Sequence, residues 1–209
     1  ERAAARAAGE VRLLAAPVLP IGCSQHHLAF GGTLSLRSAT YLRVLEDIGE
    51  SLVADGFRRI IFLNSHGGND ALMTQTASDL AVKHPVWTAS ASYWSLAGEA
   101  LREAGAGSLG LVPGHAGGFE TALILAIRPD LVRTDRIGAE HGRRDWILSG
   151  PPGAFIGRHG ELTGLDGYTD AAAPATAELG RKYLDIIVER VAGWLVRTVQ
   201  TMERGERER

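Results

Sequence analysis

The sequence predicts an α/β fold in which a mainly parallel sheet is covered by helices on both faces. Two observations lead to this prediction. Short apolar runs of strand length alternate along the chain with longer segments whose apolar residues recur at helical spacing. Polar, glycine-rich clusters directly follow predicted strands, and ligands bind at the carboxyl ends of the strands in open parallel sheets.

Three apolar runs are predicted to be the strands. Arg12–Gly22 ends at Pro20, Arg58–Asn64 is a short run rich in isoleucine, and Val86–Trp94 has valine, tryptophan, threonine and tyrosine. Because strands twist in a right-handed sense, the connections between parallel strands are expected to be right-handed crossovers.

Four segments are predicted to be helices because their apolar residues lie three and four positions apart. They are Ser38–Val53, which Gly56 closes, and residues 70–84, 118–127 and 176–202. Residues 201–209 are expected to form a frayed, solvated end. Thr134–Ala173 is rich in glycine, proline and charge, and we interpret it as a functional loop or a region of subunit contact.

The composition is that of an ordinary soluble protein. The chain has 209 residues, of which 45% are hydrophobic and 22% charged, with a net charge of −2. One domain over residues 1–209 is therefore expected, and nothing indicates a nucleic-acid partner. No apolar run reaches the length of a membrane span, and the single cysteine, Cys23, favours a reducing, cytoplasmic location. The first residue is Glu1 rather than methionine, so we expect earlier residues to precede it.

Three polar clusters supply the candidate functional residues: "CSQHH", "NSHGGN" and "GHAGGFE". A lone histidine is more often a structural residue than a ligand. Here several histidines and one carboxylate are predicted to share an edge of the sheet, and this combination favours a divalent metal. The residues concerned are His26, His27, His66, His115 and Glu120.

Two other kinds of chemistry are less favoured by the residues. Cys23 beside His26 could form a thiol nucleophile, but a small buried cysteine at the end of a strand is the commoner arrangement. The glycines of "HGGN" could expose backbone amides as an oxyanion site, which is compatible with a metal nearby. The sequence has no G-x-S-x-G motif and no phosphate-binding loop.

Four motifs in one order give the chain a resemblance to the creatininase (creatinine amidohydrolase) family. They are "LPIGCSQHH", "GFRRIIFLNSHGGN", "GHAGGFET" and "AAPATAELG", which span Leu19–Gly180. The resemblance implies a single three-layer α/β/α domain and metal-dependent hydrolysis of a C–N bond in a cyclic or formyl amide. It also implies Zn or Mn as the cofactor, a small-molecule amide substrate and often a homohexameric assembly.

Transferred motif by motif, the resemblance assigns metal ligation to His27, His66 and Glu120. It places His115 beside the substrate, as a proton donor or an anchor. The chain departs from the family pattern at two positions, since Gln25 stands where a glutamate is usual and Leu34 where an aspartate is usual.

The resemblance implies a site that holds two metal ions. Two dications close together need anionic ligands to offset their repulsion, so the loss of two carboxylates predicts one ion per subunit. His26 is the reserve ligand in case the loop shifts the register by one residue, and Gln25 is a further second candidate. A neutral amide oxygen is a poorer zinc ligand than imidazole or carboxylate.

Three functions follow from these observations. The first is a metal-dependent hydrolase that acts on non-peptide C–N bonds, with Tyr93, Trp94 and Thr134–Ala173 around the substrate. The second is a family member that has lost catalysis and binds a small ligand or a partner subunit, which the missing acids favour. The third is a purely structural metal site, which is least favoured because structural zinc is usually closed by four ligands that are mostly cysteine.

Overall fold

The computed structural model describes residues 1–138, 156–157, 159–160 and 166–208. They form two compact units. The first consists of Glu1–Leu28, Gly32–Ala97 and Ile187–Arg209, and the second of Ala29–Gly31 and Gly98–Ile186. That the whole chain acts as one domain stays a prediction.

The first unit contains a parallel pair of strands, β1 (Arg59–Asn64) and β2 (Trp87–Ser92). Arg59 lies opposite Trp87 and Asn64 opposite Ser92, so both strands end at the same level. The two polar residues at this edge are buried, with Asn64 5% and Ser92 1% exposed. The segment that follows β1 therefore begins beside the buried polar side chains of Asn64 and Ser92.

The helices alternate with the strands as the sequence pattern predicts. They are α1 (Arg2–Ala7), α2 (Ser38–Ala54), α3 (Asp70–Lys83), α4 (Tyr93–Glu103), α5 (Gly118–Ile127) and α6 (Ala177–Arg207). Helix α2 ends just before Gly56, whose φ of +92° is in the left-handed region that glycine tolerates best.

Adjacent residues of β1 show that helices cover both faces of the sheet. Successive side chains of a strand point to opposite faces. Ile61 packs against the core formed by α1 and α6, which includes Ala7 and Val191, whereas Phe62 packs against Tyr41 of α2 and its neighbours. The first unit is therefore a helix–sheet–helix sandwich, and the predicted three-layer α/β/α class is confirmed.

The prediction of a strand over Arg12–Gly22 is wrong. This segment is irregular in the structure, and its apolar side chains are largely outside the core, with Leu14 82% and Val18 74% exposed. An apolar run does not by itself provide a neighbouring strand for its backbone to pair with. The prolines in this run also have no N–H to donate to the hydrogen bonds between strands.

The ends of two other elements differ from the prediction. The strand expected to continue through Trp94 stops at Ser92, and α4 begins at once with Tyr93. The C-terminal residues expected to fray from position 201 are helical as far as Arg207. Arg59 of β1 explains part of this order, because its Nη1 lies 2.7 Å from Glu203 Oε1.

Much of the predicted functional loop Thr134–Ala173 lies outside the described residues, namely 139–155, 158 and 161–165. Within the described part of the chain, no helix combines the length and the apolar character needed to cross a membrane.

Candidate metal centre

Three imidazole rings converge in the first unit, those of His26, His27 and His66. One potential ligand nitrogen from each ring lies within 4.8 Å of the others. The ring centroids of His26 and His27 are 4.0 Å apart, and His66 lies 5.6 Å from the first and 5.8 Å from the second. Three nitrogen donors at this spacing form a candidate site for one metal ion.

A single 3-10 turn, Gln25–His27, carries two of these histidines. Ser24, which precedes the turn, places its Oγ 2.7 Å from His27 Nδ1. Thr33 Oγ1 donates a hydrogen bond of 3.0 Å to the carbonyl of His27. His27 is buried, with 8% of its surface exposed, so the turn holds its ring in place while His26 beside it is exposed.

His66 is positioned by the end of β1. Its backbone N–H donates to Asn64 Oδ1 at 3.0 Å, and its carbonyl accepts from Asn64 Nδ2 at 2.8 Å. The ring nitrogen Nε2 lies 3.2 Å from the carbonyl oxygen of Cys23. Because a carbonyl oxygen can only accept, Nε2 carries a proton in this contact, and Nδ1 is the ring nitrogen that remains for a metal.

The second glycine of "HGGN" leaves room for the Cys23 carbonyl beside the rings of His66 and His26. A Cβ atom at Gly68 would overlap the carbonyl oxygen of Cys23 and lie 2.9 Å from His66 Nε2 and 3.1 Å from His26 Cε1. A Cβ at Gly67 would meet nothing within 4 Å. The requirement for glycine is therefore specific to position 68, where any side chain would overlap the Cys23 carbonyl.

The donor set fits one divalent ion, and three observations support the fit. Burial first, and then the charge of His66, lower the pKa of His26, which favours the neutral imidazole that binds metals. His27 and His66 each place one ring nitrogen against a protein oxygen, as metal-binding histidines commonly do. The space beside Gly68 would be filled by a Cβ.

The spacing of the nitrogens requires a modest adjustment for zinc. With Zn–N bonds of about 2.0–2.1 Å in a tetrahedron, ligand nitrogens lie about 3.4 Å apart. The observed limit of 4.8 Å means that the rings would have to approach one another on binding. Rotation of the exposed His26 side chain is the easiest such movement.

The second unit holds His115 and Glu120 at the entry to α5. Glu120 Oε2 accepts a hydrogen bond of 2.7 Å from the N–H of Ala116 and lies 3.9 Å from His115 Nδ1. Burial is the main cause that raises the pKa of Glu120, the Ala116 N–H partly offsets it, and the Asp170 carboxylate raises it further. These two groups therefore form a half-buried acid–imidazole pair.

Asp170 and Thr169 hold this entry to α5 in shape. Thr169 Oγ1 accepts a hydrogen bond of 2.8 Å from the N–H of His115, and its own backbone N–H donates to the His115 carbonyl at 2.9 Å. Asp170 is buried, and it accepts hydrogen bonds from Thr169 Oγ1 and from the N–H of Gly118. His115 is thus clamped through its backbone, while its ring is directed by the turn.

Within the first unit, the structure brings together three of the candidate residues predicted from the sequence. His27 and His66 converge, and the reserve candidate His26 joins them. Gln25 is exposed at the start of the same turn, and Leu34 is exposed after it. Glu120 and His115 lie in the second unit, and their roles as ligand and proton donor stay predictions.

Sequence reasoning assigned no role to Asn64, Asn69 and Asp170, although they are buried polar residues beside the candidate groups. The signal for the first two was present, because they flank "SHGG" and are the only asparagines in the chain. Asp170 follows a tyrosine and a threonine in a segment without clear periodicity, and nothing in its sequence context marks it.

Comparison with known proteins identifies similar chains. The family model "Creatininase: Creatinine amidohydrolase" matches residues 1–195. The "Mycofactocin precursor peptide peptidase" of Mycobacterium ulcerans (strain Agy99) is 27% identical over 191 residues, which cover 87% of this chain and 66% of that protein. The "Creatinine amidohydrolase" of Pseudomonas putida is 30% identical over 173 residues, which cover 78% of this chain and 64% of that protein. The chain thus spans just under two thirds of the length of these curated relatives.

Solved structures show the same similarity. A structure described as "Creatininase Mn" superposes with a TM-score of 0.69 at 27% identity, covering 92% of this chain and 79% of the other. A mutant creatininase described as "Zn-Zn type" has a TM-score of 0.60 at 28% identity, covering 79% of this chain and 66% of the other. The similarity therefore extends from the sequence motifs to the fold.

Proposed function

This chain belongs to the creatininase family, and from that premise we propose that it is a metal-dependent amidohydrolase that cleaves a C–N bond of a small cyclic or formyl amide. The observation that carries the proposal is the convergence of ring nitrogens from His26, His27 and His66 within 4.8 Å of one another. Imidazole nitrogens are ordinary ligands of zinc, so three of them converging favours a metal site over isolated structural histidines.

We propose zinc rather than manganese, and one ion per subunit. Imidazole nitrogen suits zinc, whereas manganese prefers carboxylate and water oxygen, and the converging donors are all imidazoles. When bound, such an ion supplies Lewis-acid polarisation of an amide carbonyl and lowers the pKa of water toward about 7. His27 and His66 would hold it from rigid backbone positions, and His26 from an exposed side chain.

Proton transfer is assigned to His115 in this proposal. The Glu120 carboxylate 3.9 Å from its Nδ1 would stabilise the imidazolium that forms when the ring takes up a proton. The backbone clamp from Thr169 limits where the ring can move. Whether Glu120 instead serves as a fourth ligand is decided by the metal content of a Glu120→Gln variant.

The substrate class needs a direct comparison, because the relatives differ. One is named for the hydrolysis of creatinine and another for a precursor peptide. We propose the non-peptide amide, as the sequence motifs imply. Creatinine, assayed by the creatine formed on ring opening, and a formamide and a short peptide, each assayed by the amine released, would separate the two classes. Cleavage of the peptide alone would overturn the non-peptide assignment.

A second candidate is a family member that has lost catalysis and binds a ligand. The observation that favours it is that, among the residues that the structure describes, the converging donors include no carboxylate, and Gln25 replaces an acid in the same turn. In that case Gln25→Glu would raise metal occupancy and produce amide hydrolysis that the wild type lacks.

The test is elemental analysis of protein purified without chelator, combined with the hydrolysis assay. We expect one zinc per chain in the wild type, loss of zinc in His66→Ala, and no change in His84→Ala, which removes an imidazole outside the cluster. Two ions per chain would refute the single-ion proposal. Unchanged zinc in His66→Ala would refute the ligand assignment, and a wild type with neither zinc nor hydrolysis would favour the second candidate.

The assembly and the location follow from the sequence and the family only. We propose a homo-oligomer, with the hexamer as the expected form, and a cytoplasmic location. Light scattering at micromolar concentration would measure the mass, and a mass of one chain would contradict the oligomer.

A further inference from the structure

We infer that Asn64 and Asn69 are positioning residues that hold the His66 segment and the His26–His27 turn at the spacing a shared ion requires. They act through the backbone and touch neither the ion nor the substrate. The inference rests on the proposed function for its metal, but its geometric content stands on the hydrogen bonds of the first unit alone.

The carboxamide of Asn64 makes all the hydrogen bonds it can. Its Nδ2 donates to the His66 carbonyl at 2.8 Å and to Ser92 Oγ at 2.9 Å. Its Oδ1 accepts from the His66 N–H at 3.0 Å and from Asn69 Nδ2 at 3.3 Å. The group is buried, so water cannot reach it, and these bonds take the place of the hydrogen bonds to water that it makes in the unfolded chain. The peptide of His66 is therefore bound on both its donor and its acceptor side.

Asn69 connects this site to the other histidine segment. Its Nδ2 donates to Asn64, and its Oδ1 accepts a hydrogen bond of 2.8 Å from the N–H of Cys23. Cys23 lies two residues before the turn that carries His26 and His27, and its carbonyl contacts His66 Nε2. The two asparagines thus form a continuous bridge from the end of β1 to the start of the histidine turn.

Two glycines provide the room for this bridge. A Cβ at Gly22 would lie 2.5 Å from Asn69 Oδ1 and 2.8 Å from its Nδ2, and a Cβ at Gly68 would overlap the Cys23 carbonyl. The close approach of the two backbones is therefore specific to these residues. Gly22→Ala would displace the Asn69 amide without replacing any histidine.

The pattern of hydrogen-bond donors and acceptors explains why amides suit positions 64 and 69 better than acids. An aspartate at 69 would keep the acceptor for the Cys23 N–H but would face Asn64 Oδ1 with a second oxygen instead of a donor. The same change at 64 would lose both donors, including the one to His66. An amide that donates and accepts at once is therefore required at both positions.

The experiment compares wild type, Asn69→Asp and Gly22→Ala with Gln75→Glu, which makes the same amide-to-acid change at an exposed site on α3. Zn²⁺ affinity is measured by competition with a chromogenic chelator, and the visible absorption spectrum of bound Co²⁺ reports ligand geometry. Histidine ring signals of the metal-free proteins are followed by NMR after isotope labelling, and circular dichroism checks the fold.

We expect Asn69→Asp and Gly22→Ala to bind Zn²⁺ about 10- to 100-fold more weakly, with an altered Co²⁺ spectrum and shifted ring signals of His26, His27 and His66. Gln75→Glu should match the wild type. Wild-type affinity, spectrum and ring signals in both folded variants would overturn the inference.

A wild type that binds no zinc would refute the proposed function, and the metal-free ring signals would then decide the inference alone. If those signals shift in both variants, the positioning role is supported without the metal, and if they do not shift, the inference fails. Should Asn69→Asp fail to fold, Gly22→Ala carries the same comparison.

Discussion

Replacement of Gly68 by alanine tests whether the close approach of the Cys23 carbonyl to Gly68 supports the arrangement of the imidazoles. The new Cβ would overlap the Cys23 carbonyl and press on the rings of His66 and His26 at 2.9 and 3.1 Å. Its partners are a backbone carbonyl and rings held by hydrogen bonds, so the clash is not relieved by one flexible side chain. Gly67→Ala is the matched control, because its Cβ would meet nothing within 4 Å.

The expected size of the effect follows from three contributions. Overpacking a filled site costs about 1–3 kcal/mol, and loss of the Cys23–His66 hydrogen bond costs about 0.5–1.5 kcal/mol. The reduced freedom of the unfolded chain returns about 0.4–1 kcal/mol. We therefore expect Gly68→Ala to lower the free energy of unfolding by about 2 kcal/mol, and Gly67→Ala to raise it by about 0.5 kcal/mol.

Thermal unfolding of the metal-free proteins measures the difference between the two variants. For a chain of this size, 1 kcal/mol corresponds to about 2–4 °C, so their Tm values should differ by about 5–10 °C. A zinc titration of both variants should show weaker binding in Gly68→Ala only. Equal stability and equal zinc affinity in the two variants would refute the idea that the close approach at Gly68 supports the site.

Two further predictions concern Glu120 and helix α6. Burial, with a contribution from Asp170, raises the pKa of Glu120 above its ordinary value of 4.5, so the folded state favours the neutral acid. The metal-free wild type should therefore lose stability relative to Glu120→Gln as the pH rises from about 4.5 through the raised pKa. Urea unfolding over a pH series measures the difference in unfolding free energy between the two proteins. A difference that stayed constant with pH would contradict this prediction. On α6, a Cβ at Gly180 would overlap the Ala122 carbonyl, whereas one at Gly193 would meet only the end of the Arg197 side chain. Gly180→Ala should lower the free energy of unfolding by about 1–3 kcal/mol, although alanine has the better helix propensity, and Gly193→Ala should raise it by up to about 1 kcal/mol. Equal unfolding free energies in the two variants would contradict the close packing at Gly180.

Local patterns in the sequence were sufficient for much of the fold. Helical spacing of apolar residues predicted α3, α5 and most of α2, and a short apolar run predicted β1, because these signals depend on residues near one another in the chain. The run Arg12–Gly22 has the same local signal but no strand, since a ladder needs a partner that the local sequence does not specify. Helix α4, which begins directly after β2, was not predicted.

The candidate site divides in the same way. The sequence by itself determined which residue types were available, since "QHH" and "HGGN" supply imidazoles and a glycine beside them, and the motif order indicated the family. Only the tertiary structure decided that His26 joins His27 and His66, because ring positions depend on the 3-10 turn and on the Cys23–His66 contact. It also decided that Asn64 and Asn69 link the two segments, since Asn69 lies 46 positions from Cys23 in the chain and their contact exists only when the backbones are folded together.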